Sequence, residues 1–598
     1  MKSLVSLLVH LLQDESRRCD VPVTRDVETL RRRCRHEGDS FITITLAAYC
    51  AGFERSLDEG RLVPGSFGPF GALATGTPKF LQGFLYRVFD KETGDLLAAP
   101  AVDCIRAVRQ ICLFGKKVVR PCTPARLKAA TQAYVDCDES VELSPTGKLW
   151  DRFGAVADIL ISDIALGEDV LDEITPDHGP GATQEGVLGN AKWRFETWFK
   201  RLDDVGITFQ RFAKGISSEA PDDSCKPETL EPEDEPPVKV VFVPKTLKTP
   251  RVIAVEPVCM QFVQQGLARY LVGQIERSSL CRGRVNFRDQ GVNQDLALRA
   301  SADGSLATMD MSEASDRVSM AHYQRLFASH PQFRGLVDAC RSMRAKLPDG
   351  RIIPLRKFAS MGSALCFPVE ALVFYTSIIA SRLVRAGHYP TRAAVHKMSR
   401  AVYVYGDDLI VPADETSAIR EDLEALGFKV NIRKSFGKGK FRESCGMDAY
   451  DGEAVTPTYL RRDVPTNRGD ASGIVSTVAT ANQLYQLGLY KTAAALRKAV
   501  EDLIGTLPTV RATSPAVGWH ATHSMWLPPT RWNKRLMRWE HLVWVPTTPR
   551  LSDPLEGEAA LSKCYRKIGS PSIDREHLEM TPRRYALALK RSWVCRDY

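Results

Sequence analysis

The sequence predicts an α+β protein, and three observations carry that reading. Tyr403-Val404-Tyr405 and Leu409-Ile410-Val411 are short β-prone runs on either side of Gly406-Asp407-Asp408, and Gly-Asp suits a tight hairpin turn. Within 238–257 two further apolar runs bracket a turn. Around these, long stretches carry apolar residues at helical spacing, as in 1–60 and 365–383. The 403–411 hairpin organises the rest. It puts two adjacent carboxylates at the tip of a rigid turn, where a divalent cation can be held. Side chains alternate along a strand, so one carboxylate would be the main ligand while the other adjusts. The same residues also suit an exposed acidic turn.

The chain has 598 residues, enough for a large core and two to four subdomains. Lys plus Arg number 81 against 72 for Asp plus Glu, a net charge of +9 that is compatible with a polyanionic partner. Hydrophobic content of 44% and charged content of 26% are ordinary for a soluble globular protein. The 15 cysteines are scattered, with no Cys-x-x-Cys pair and no Cys/His cluster at zinc spacing. They read as reduced thiols of a cytosolic protein and argue against a disulfide scaffold or a zinc ribbon. Leu4, Leu7, Leu8, Leu11 and Leu12 share one helical face. His10 interrupts that stretch and no cleavage site follows, so a core-facing helix is expected rather than a secretory signal. No apolar run reaches transmembrane length, and a soluble protein is expected.

Taken in order, 1–60 reads as mainly helical, with Arg31, Arg32 and Arg33 on a solvated face. The Gly- and Pro-rich stretch 60–78 is an irregular loop, and 81–88 and 96–119 carry helical patterns. His178-Gly179-Pro180-Gly181 suits either a phosphate held on backbone amides or a plain turn. Residues 217–237 are acidic and Pro-rich, lack the apolar surface to order themselves, and read as an exposed insertion. Lys245, Lys248 and Arg251 gather at one strand junction, as a triphosphate site or a solvated hairpin would have them. A helix at about 260–277 follows, then Asp289–Gln294, which has no role legible from spacing.

Residues 305–310 read as a buried strand ending on Asp310, and Ser312 is placed to cap a helix from about Glu313 with Asp316 in its first turn. An aspartate there fits a metal ligand or a structural cap. The stretch 350–358 suggests the second strand of a hairpin. Ser360-Met361-Gly362-Ser363 is a loop small enough for a nucleic-acid strand to approach its backbone, ahead of the apolar helix 365–383. A helix over 415–426 stopped by Gly427, a strand over 428–432 leading to Lys434, and a basic, flexible 437–446 complete this region. Beyond 470 the chain reads as mainly helical. It ends in a tract with Arg531, Trp532, Lys534, Arg535, Arg538, Trp539 and Trp544, suited to RNA or to a surface helix with its tryptophans packed inward. No internal repeat is present.

Together these pieces resemble an RNA-directed RNA polymerase, and more narrowly the replicase β subunit of single-stranded RNA bacteriophages, the levivirus group. The motifs are Val243-Pro244-Lys245-Thr246-Leu247-Lys248-Thr249-Pro250-Arg251, continuing to Pro257; Asp289-Gln290-Gly291-Val292-Asn293-Gln294; and Asp310-Met311-Ser312-Glu313-Ala314-Ser315-Asp316. They continue with Ser360-Met361-Gly362, Tyr405-Gly406-Asp407-Asp408, Leu426-Gly427-Phe428-Lys429-Val430-Asn431 and Phe441-Arg442-Glu443-Ser444-Cys445-Gly446, and His178-Gly179-Pro180-Gly181 lies upstream.

The resemblance implies a right-hand polymerase: an N-terminal helical region at 1–60, fingers at 61–300, a palm at 301–460 with a fingers insertion near 322–358, and thumb plus C-terminal helical region at 461–598. The palm would hold a small antiparallel sheet flanked by helices. Asp310 and Asp407 would be the principal ligands of two Mg²⁺ ions, assisted by Asp408. Three carboxylates so close repel one another, so the site should be loosely formed without metal. Asp316 would sense the 2′-hydroxyl of the incoming nucleotide, Lys245, Lys248 and Arg251 would guide its triphosphate, and Ser360 and Gly362 would line its site. Lys434 would be a general acid for pyrophosphate. The family often has Gly-Asn-Gly after Ser-Met, where this chain has Gly362-Ser363-Ala364; a serine reaches less far. Pro368 marks the first turn of the following helix.

Implied partners are a single-stranded RNA template, ribonucleoside triphosphates, the host elongation factors Tu and Ts, and for some members a host ribosomal protein, all in the bacterial cytoplasm and without a membrane. Two other functions fit parts of the pattern. A reverse transcriptase shares the paired aspartates, but Gly406 and Asp316 stand against it. A non-catalytic RNA-binding protein with a polymerase-like core would bind RNA without needing Asp310 or Asp407.

Overall fold

The computed structural model describes residues 2–73, 76–141, 144–167, 169–213, 226–520, 527–567, 580–582 and 586–595. It is an α+β fold in which long helices surround small sheets of two to four strands. The central sheet has three antiparallel strands. Leu306–Asp310 pairs with Asp408–Pro412, which pairs in turn with Tyr403–Tyr405. The register sets Thr308 opposite Ile410 and Asp310 opposite Asp408.

Burial encloses both faces of this sheet. Ala307, Val404, Leu409 and Val411 are fully enclosed in the core that also takes in the helix Cys366–Arg385. Slipping a strand by one residue would move those side chains to the other face of the sheet, where Thr308 and Ile410 are themselves buried. Helix Cys366–Arg385 packs on the helices Lys148–Ile164 and Thr416–Ala425, and helix Gly291–Asp303 lies on the strands Phe441–Ser444 and Met447–Tyr450. By length and apolarity Cys366–Arg385 meets the requirement for crossing a membrane, contrary to the expectation that no run would. Its apolar window is 83% buried inside the protein, so those side chains serve the core.

A second core joins sequence-distant helices. Leu8, Leu11, Leu12, Tyr49 and Phe53 pack with Ile474, Leu484 and Leu496. The leucine face of Lys2–Cys19 is thus core-facing, as its spacing predicts. Asp14 fastens it to the helix Tyr490–Ile504 by accepting from the backbone N–H of Lys491 (3.1 Å) and Thr492 (2.9 Å) and from the Thr492 hydroxyl (2.8 Å).

Several local expectations are corrected. No α-helix begins at Glu313, which sits at φ 55, a left-handed conformation an α-helix cannot contain; only the one-turn 3₁₀ helix Ser315–Arg317 follows. Helix Met320–Leu326 begins later, capped by Ser319. Residues 428–432 form no strand; Val430 makes a single bridge to Met311, and the backbone then turns so that Asn431 N–H donates to the Asp310 carbonyl (2.8 Å). Helix in 81–119 is confined to Gln82–Leu85 and Val102–Leu113. The stretch 437–446 is held rather than flexible: Asp58 Oδ1 accepts from the amides of Gly437, Lys438 and Gly439 (3.0, 3.0 and 2.9 Å), and 441–444 is a strand.

Past the helices Ala471–Gln486 and Tyr490–Ile504, the described chain turns mainly to strands. Thr530–Asn533, Arg538–Thr547 and Ala588–Cys595 form an antiparallel sheet, because Val543, Val545 and Thr547 alternate and β-branched residues favour that geometry. Trp532 and Trp539 face each other across it, ring centroids 5.3 Å apart, and both remain exposed. Of the acidic segment 217–237, residues 217–225 lie outside the described residues. Its far end is anchored, with Glu235 receiving two hydrogen bonds of 2.7 Å from the Arg201 guanidinium.

Candidate active site

Gly406 and Asp407 form the two-residue turn between the strands Tyr403–Tyr405 and Asp408–Pro412. Gly406 has φ 60, as the first central residue of a II′-type hairpin turn requires. A Cβ there would lie 2.4 Å from a ring carbon of Phe367, so the position admits only glycine. Asp407 stands at the tip, Asp408 begins the next strand, and the register brings Asp310 opposite Asp408. Asn293, within the motif that had no legible role, reaches the Asp408 carbonyl through its side-chain amide (3.4 Å).

Asp310 is held on both oxygens. The Asn431 side-chain amide donates to Oδ2 (2.7 Å) and Lys434 Nζ donates to Oδ1 (3.2 Å), while the Asp310 N–H donates to Ser435 Oγ (3.2 Å). Lys434 also lies 3.8 Å from Glu443. Burial would lower its pKa, but the Glu443 and Asp310 carboxylates more than offset that and raise it. Lys434 is therefore a firmly held cation, a poor proton donor in this arrangement.

Loss of surrounding water and then the neighbouring Asp310 carboxylate raise the Asp407 pKa. Asp408 is pushed to about 7, first by burial and then by Asp407 and Glu443. Glu370, on helix Cys366–Arg385, is pushed well above the carboxylate range by burial and then by Asp407 and Asp316. Burial is the larger cause at each of these three groups, and neighbouring carboxylates add to it. Among the described residues no three His, Cys, Asp or Glu side chains are gathered into a ready-made ion cage.

Asp310, Asp407 and Glu370 open into a cleft of about 540 Å³ whose wall also includes Lys245, Asp316, Ser363 and Lys434, while Asp408 and Glu443 do not line it. The predicted site residues separate here. Loss of water and then the Arg251 and Lys434 charges lower the Lys245 pKa, so three cations crowd this end of the cleft. Lys248 is exposed on the loop between the strands Val238–Val243 and Arg251–Val255 and does not line the cleft.

Gly362 lines the cleft at φ 134, and a Cβ there would lie 1.9 Å from the Ala254 carbonyl oxygen. The close approach that demands glycine is thus to a neighbouring strand of the protein. Ser360 is turned away from the cleft, buried, with its Oγ 2.8 Å from the Tyr134 hydroxyl. Ser363 stands on the wall in its place. Sequence reasoning missed Asn431, Glu443 and Lys357 as site residues; the first two lie inside the quoted motifs, and Lys357 gave no signal at all.

The upstream glycine loop has another occupant than a phosphate. The buried Lys192 ammonium donates to the carbonyls of Gly179 and Gly181, and His178 packs among Trp193, Phe195 and Phe262.

Residues 220–469 match the model of the family described as RNA replicase, beta-chain. The RNA-directed RNA polymerase subunit beta of Qbeta virus (strain MX1) is 38% identical over 226 residues, 38% of this chain and 36% of that protein. The subunit of Enterobacteria phage SP is 34% identical over 42% of this chain and 39% of its own length. The RNA-directed RNA polymerase beta chain of Escherichia phage MS2 is 35% identical over 38% of each. The match thus spans well under half the length of these curated relatives. The segment that carries all three aspartates, residues 220–469, is shared with the RNA replicase β-chain family.

Proposed function

We propose that this chain is an RNA-directed RNA polymerase that copies single-stranded RNA from ribonucleoside triphosphates and releases pyrophosphate. One observation carries it: Asp310, at a strand end, and Asp407, at the adjoining hairpin turn, meet on one cleft, with Asp408 paired opposite Asp310 in the strand register, inside the segment that matches the replicase family. Supporting it, Lys245 supplies positive charge to the same cleft.

The carboxylates are hard oxygen donors, and burial followed by neighbouring carboxylates raises the Asp407 and Asp408 pKa values; such a set suits Mg²⁺. Asp310, Asp407 and Asp408 would hold two of these ions. When bound, they supply activation of a 3′-hydroxyl and charge neutralisation at the α-phosphate and departing pyrophosphate.

The chain's own residues do the rest. Asn431 and Lys434 fix the Asp310 carboxylate. Lys245, with Arg251 behind it, draws the triphosphate into the cleft, and Lys248 attracts it from the approach. Asp316 accepts a hydrogen bond from the sugar, Gly362 lets the adjacent loop close on the strand Arg251–Val255, and Ser360 supports that loop from behind. For Lys434 to protonate pyrophosphate, its pairing with Asp310 would first have to break.

The proposed division keeps 1–60 as an N-terminal helical region and 61–300 as fingers. It keeps 301–460 as palm, with a fingers insertion near 322–358, and 461–598 as thumb and C-terminal region, the last now with strands. The relatives' designation as a β subunit supports function within a larger assembly, for which elongation factors Tu and Ts and a ribosomal protein in a bacterial host's cytoplasm are the proposed partners.

The test is RNA-templated incorporation of ribonucleotides with Mg²⁺, comparing the full chain with Asp407→Asn, each with and without bacterial extract. Incorporation lost in the variant with RNA binding retained supports the proposal. Activity only with extract adds a host factor. A parent chain that binds RNA but stays inert throughout overturns it.

A further inference from the structure

Asp316 stands on a single tight turn, Ser315–Arg317, with no helix of its own to fix its side chain. What fixes it comes from elsewhere in the chain. Its Oδ1 accepts a hydrogen bond from Lys357 Nζ at 2.9 Å. Lys357 is 0% exposed, a placement a lysine tolerates only when paired. Burial alone would lower its pKa, but Asp316 and then the Tyr134 phenol outweigh this and raise it, so the ammonium stays charged.

The lysine is itself seated from a distant helix, Pro124–Glu139. Its Nζ lies 3.4 Å from the centroid of the Tyr134 ring, whose hydroxyl is 2.8 Å from Ser360 Oγ. One turn on, the buried Asp138 carboxylate accepts from the backbone N–H of Arg356 (3.0 Å) and of Lys357 (3.1 Å). The Arg341 guanidinium donates to the carbonyls of Leu355 (3.0 Å), Lys357 (2.8 Å) and Phe358 (2.7 Å). The backbone that carries Lys357 is therefore pinned on both its donors and its acceptors. Among the described residues nothing comparable holds Asp316, whose second oxygen accepts no hydrogen bond from them at the cleft wall.

We infer that Lys357, seated by Tyr134 and Asp138, is a positioning residue that aims Asp316 at the 2′-hydroxyl of the incoming nucleotide and so sets the preference for ribo- over deoxyribonucleotides. This rests on the polymerase reading and on the place of Asp316 in it. The pairing consumes Oδ1 and leaves Oδ2 oriented to accept from a sugar hydroxyl. Without the ammonium the carboxylate is free to rotate, and the hydrogen bond to the sugar loses its fixed geometry.

The experiment measures kcat and KM for a matched ribo- and deoxyribonucleotide on a primed RNA template, for the parent, Asp316→Asn, Lys357→Met and Tyr134→Phe. Lys357→Met is expected to lower the ribo-to-deoxy ratio of kcat/KM roughly 10-fold, chiefly through the ribonucleotide KM, approaching the effect of Asp316→Asn. Tyr134→Phe, which keeps the ring and removes only the hydroxyl, should lower it in the same direction by roughly 3-fold. A Lys357→Met ratio equal to the parent's, with Asp316→Asn lowered, overturns the inference. Should Lys357→Met fail to fold, an unchanged ratio in Tyr134→Phe overturns it instead. If Asp316→Asn keeps the parent ratio, the sugar contact lies elsewhere and the inference falls with it. A parent chain that incorporates no nucleotide with or without bacterial extract overturns the polymerase reading itself.

Discussion

Replacing Asp408 by Asn should stabilise the metal-free protein, and increasingly so as pH rises. Burial, then the Asp407 and Glu443 carboxylates, push the Asp408 pKa to about 7, roughly three units above the ~3.9 of a free aspartate. Each unit corresponds to ~1.4 kcal/mol, an upper bound of about 4 kcal/mol. The side chain is half-buried, so solvent screening reduces the expected effect to roughly 1–2 kcal/mol.

The sign follows from the direction of the shift. A carboxyl with a raised folded-state pKa gives stability that is complete below the unfolded value and is lost as pH climbs through the folded one. Asparagine cannot ionise and escapes that loss. Urea unfolding in the presence of a chelator should therefore show parent and variant close together near about pH 4 and separated by roughly 1–2 kcal/mol at about pH 8, the variant steadier. Adding Mg²⁺ in place of chelator should narrow the gap, because the ion favours the ionised parent. A gap independent of pH, or a parent steadier at high pH, would refute the charge-repulsion argument.

Three other perturbations test the surrounding structure. Arg109 is 1% exposed, pairs with Glu54 and lies 2.7 Å from Asp448; Arg109→Met leaves the buried Asp448 and the half-buried Glu54 without their cation and should cost about 3–5 kcal/mol by urea unfolding, partly recovered by adding Asp448→Asn. Gly406→Ala sets a methyl 2.4 Å from Phe367 at φ 60 and must shift Asp407, so ribonucleotide incorporation should fall on the order of 100-fold while RNA binding persists. Asp58→Ala orphans the amides of Gly437, Lys438 and Gly439; a loss of roughly 2–3 kcal/mol and faster hydrogen exchange confined to that segment should follow.

The sequence read some of this molecule well because the signals were local. The 403–412 hairpin needed only two β-prone runs around Gly406-Asp407. The leucines of the first helix needed only helical spacing and are buried as expected. The helix predicted after Ser312 failed because the Glu313 backbone is bent left-handed by what surrounds it: Met311 N–H donates to Asp407 and Ser312 N–H to Lys429, both carbonyls far along the chain. Similarly, 437–446 looked flexible for its glycines and lysines, and is held by one carboxylate from residue 58. The C-terminal tract was misread because interleaved tryptophans and arginines fit a helix face as well as a sheet, and β pairing there joins Arg538–Thr547 to Ala588–Cys595 across a long connection.

By itself, then, the sequence determined part of the site: the aspartates, Lys245 and Lys434, in what order they come, and that the aspartate pair sits on a hairpin turn. Those properties depend on residues a few positions apart. Only the tertiary structure decided how each is used. Asp310 meets Asp408 through strand register, Lys434 is tied to Asp310 and cannot readily give up a proton, Ser360 faces inward to Tyr134, and Asp316 is aimed by Lys357. Each of these pairings joins residues separated by tens to hundreds of positions, where no local propensity acts and only the packing of the whole chain selects the partner.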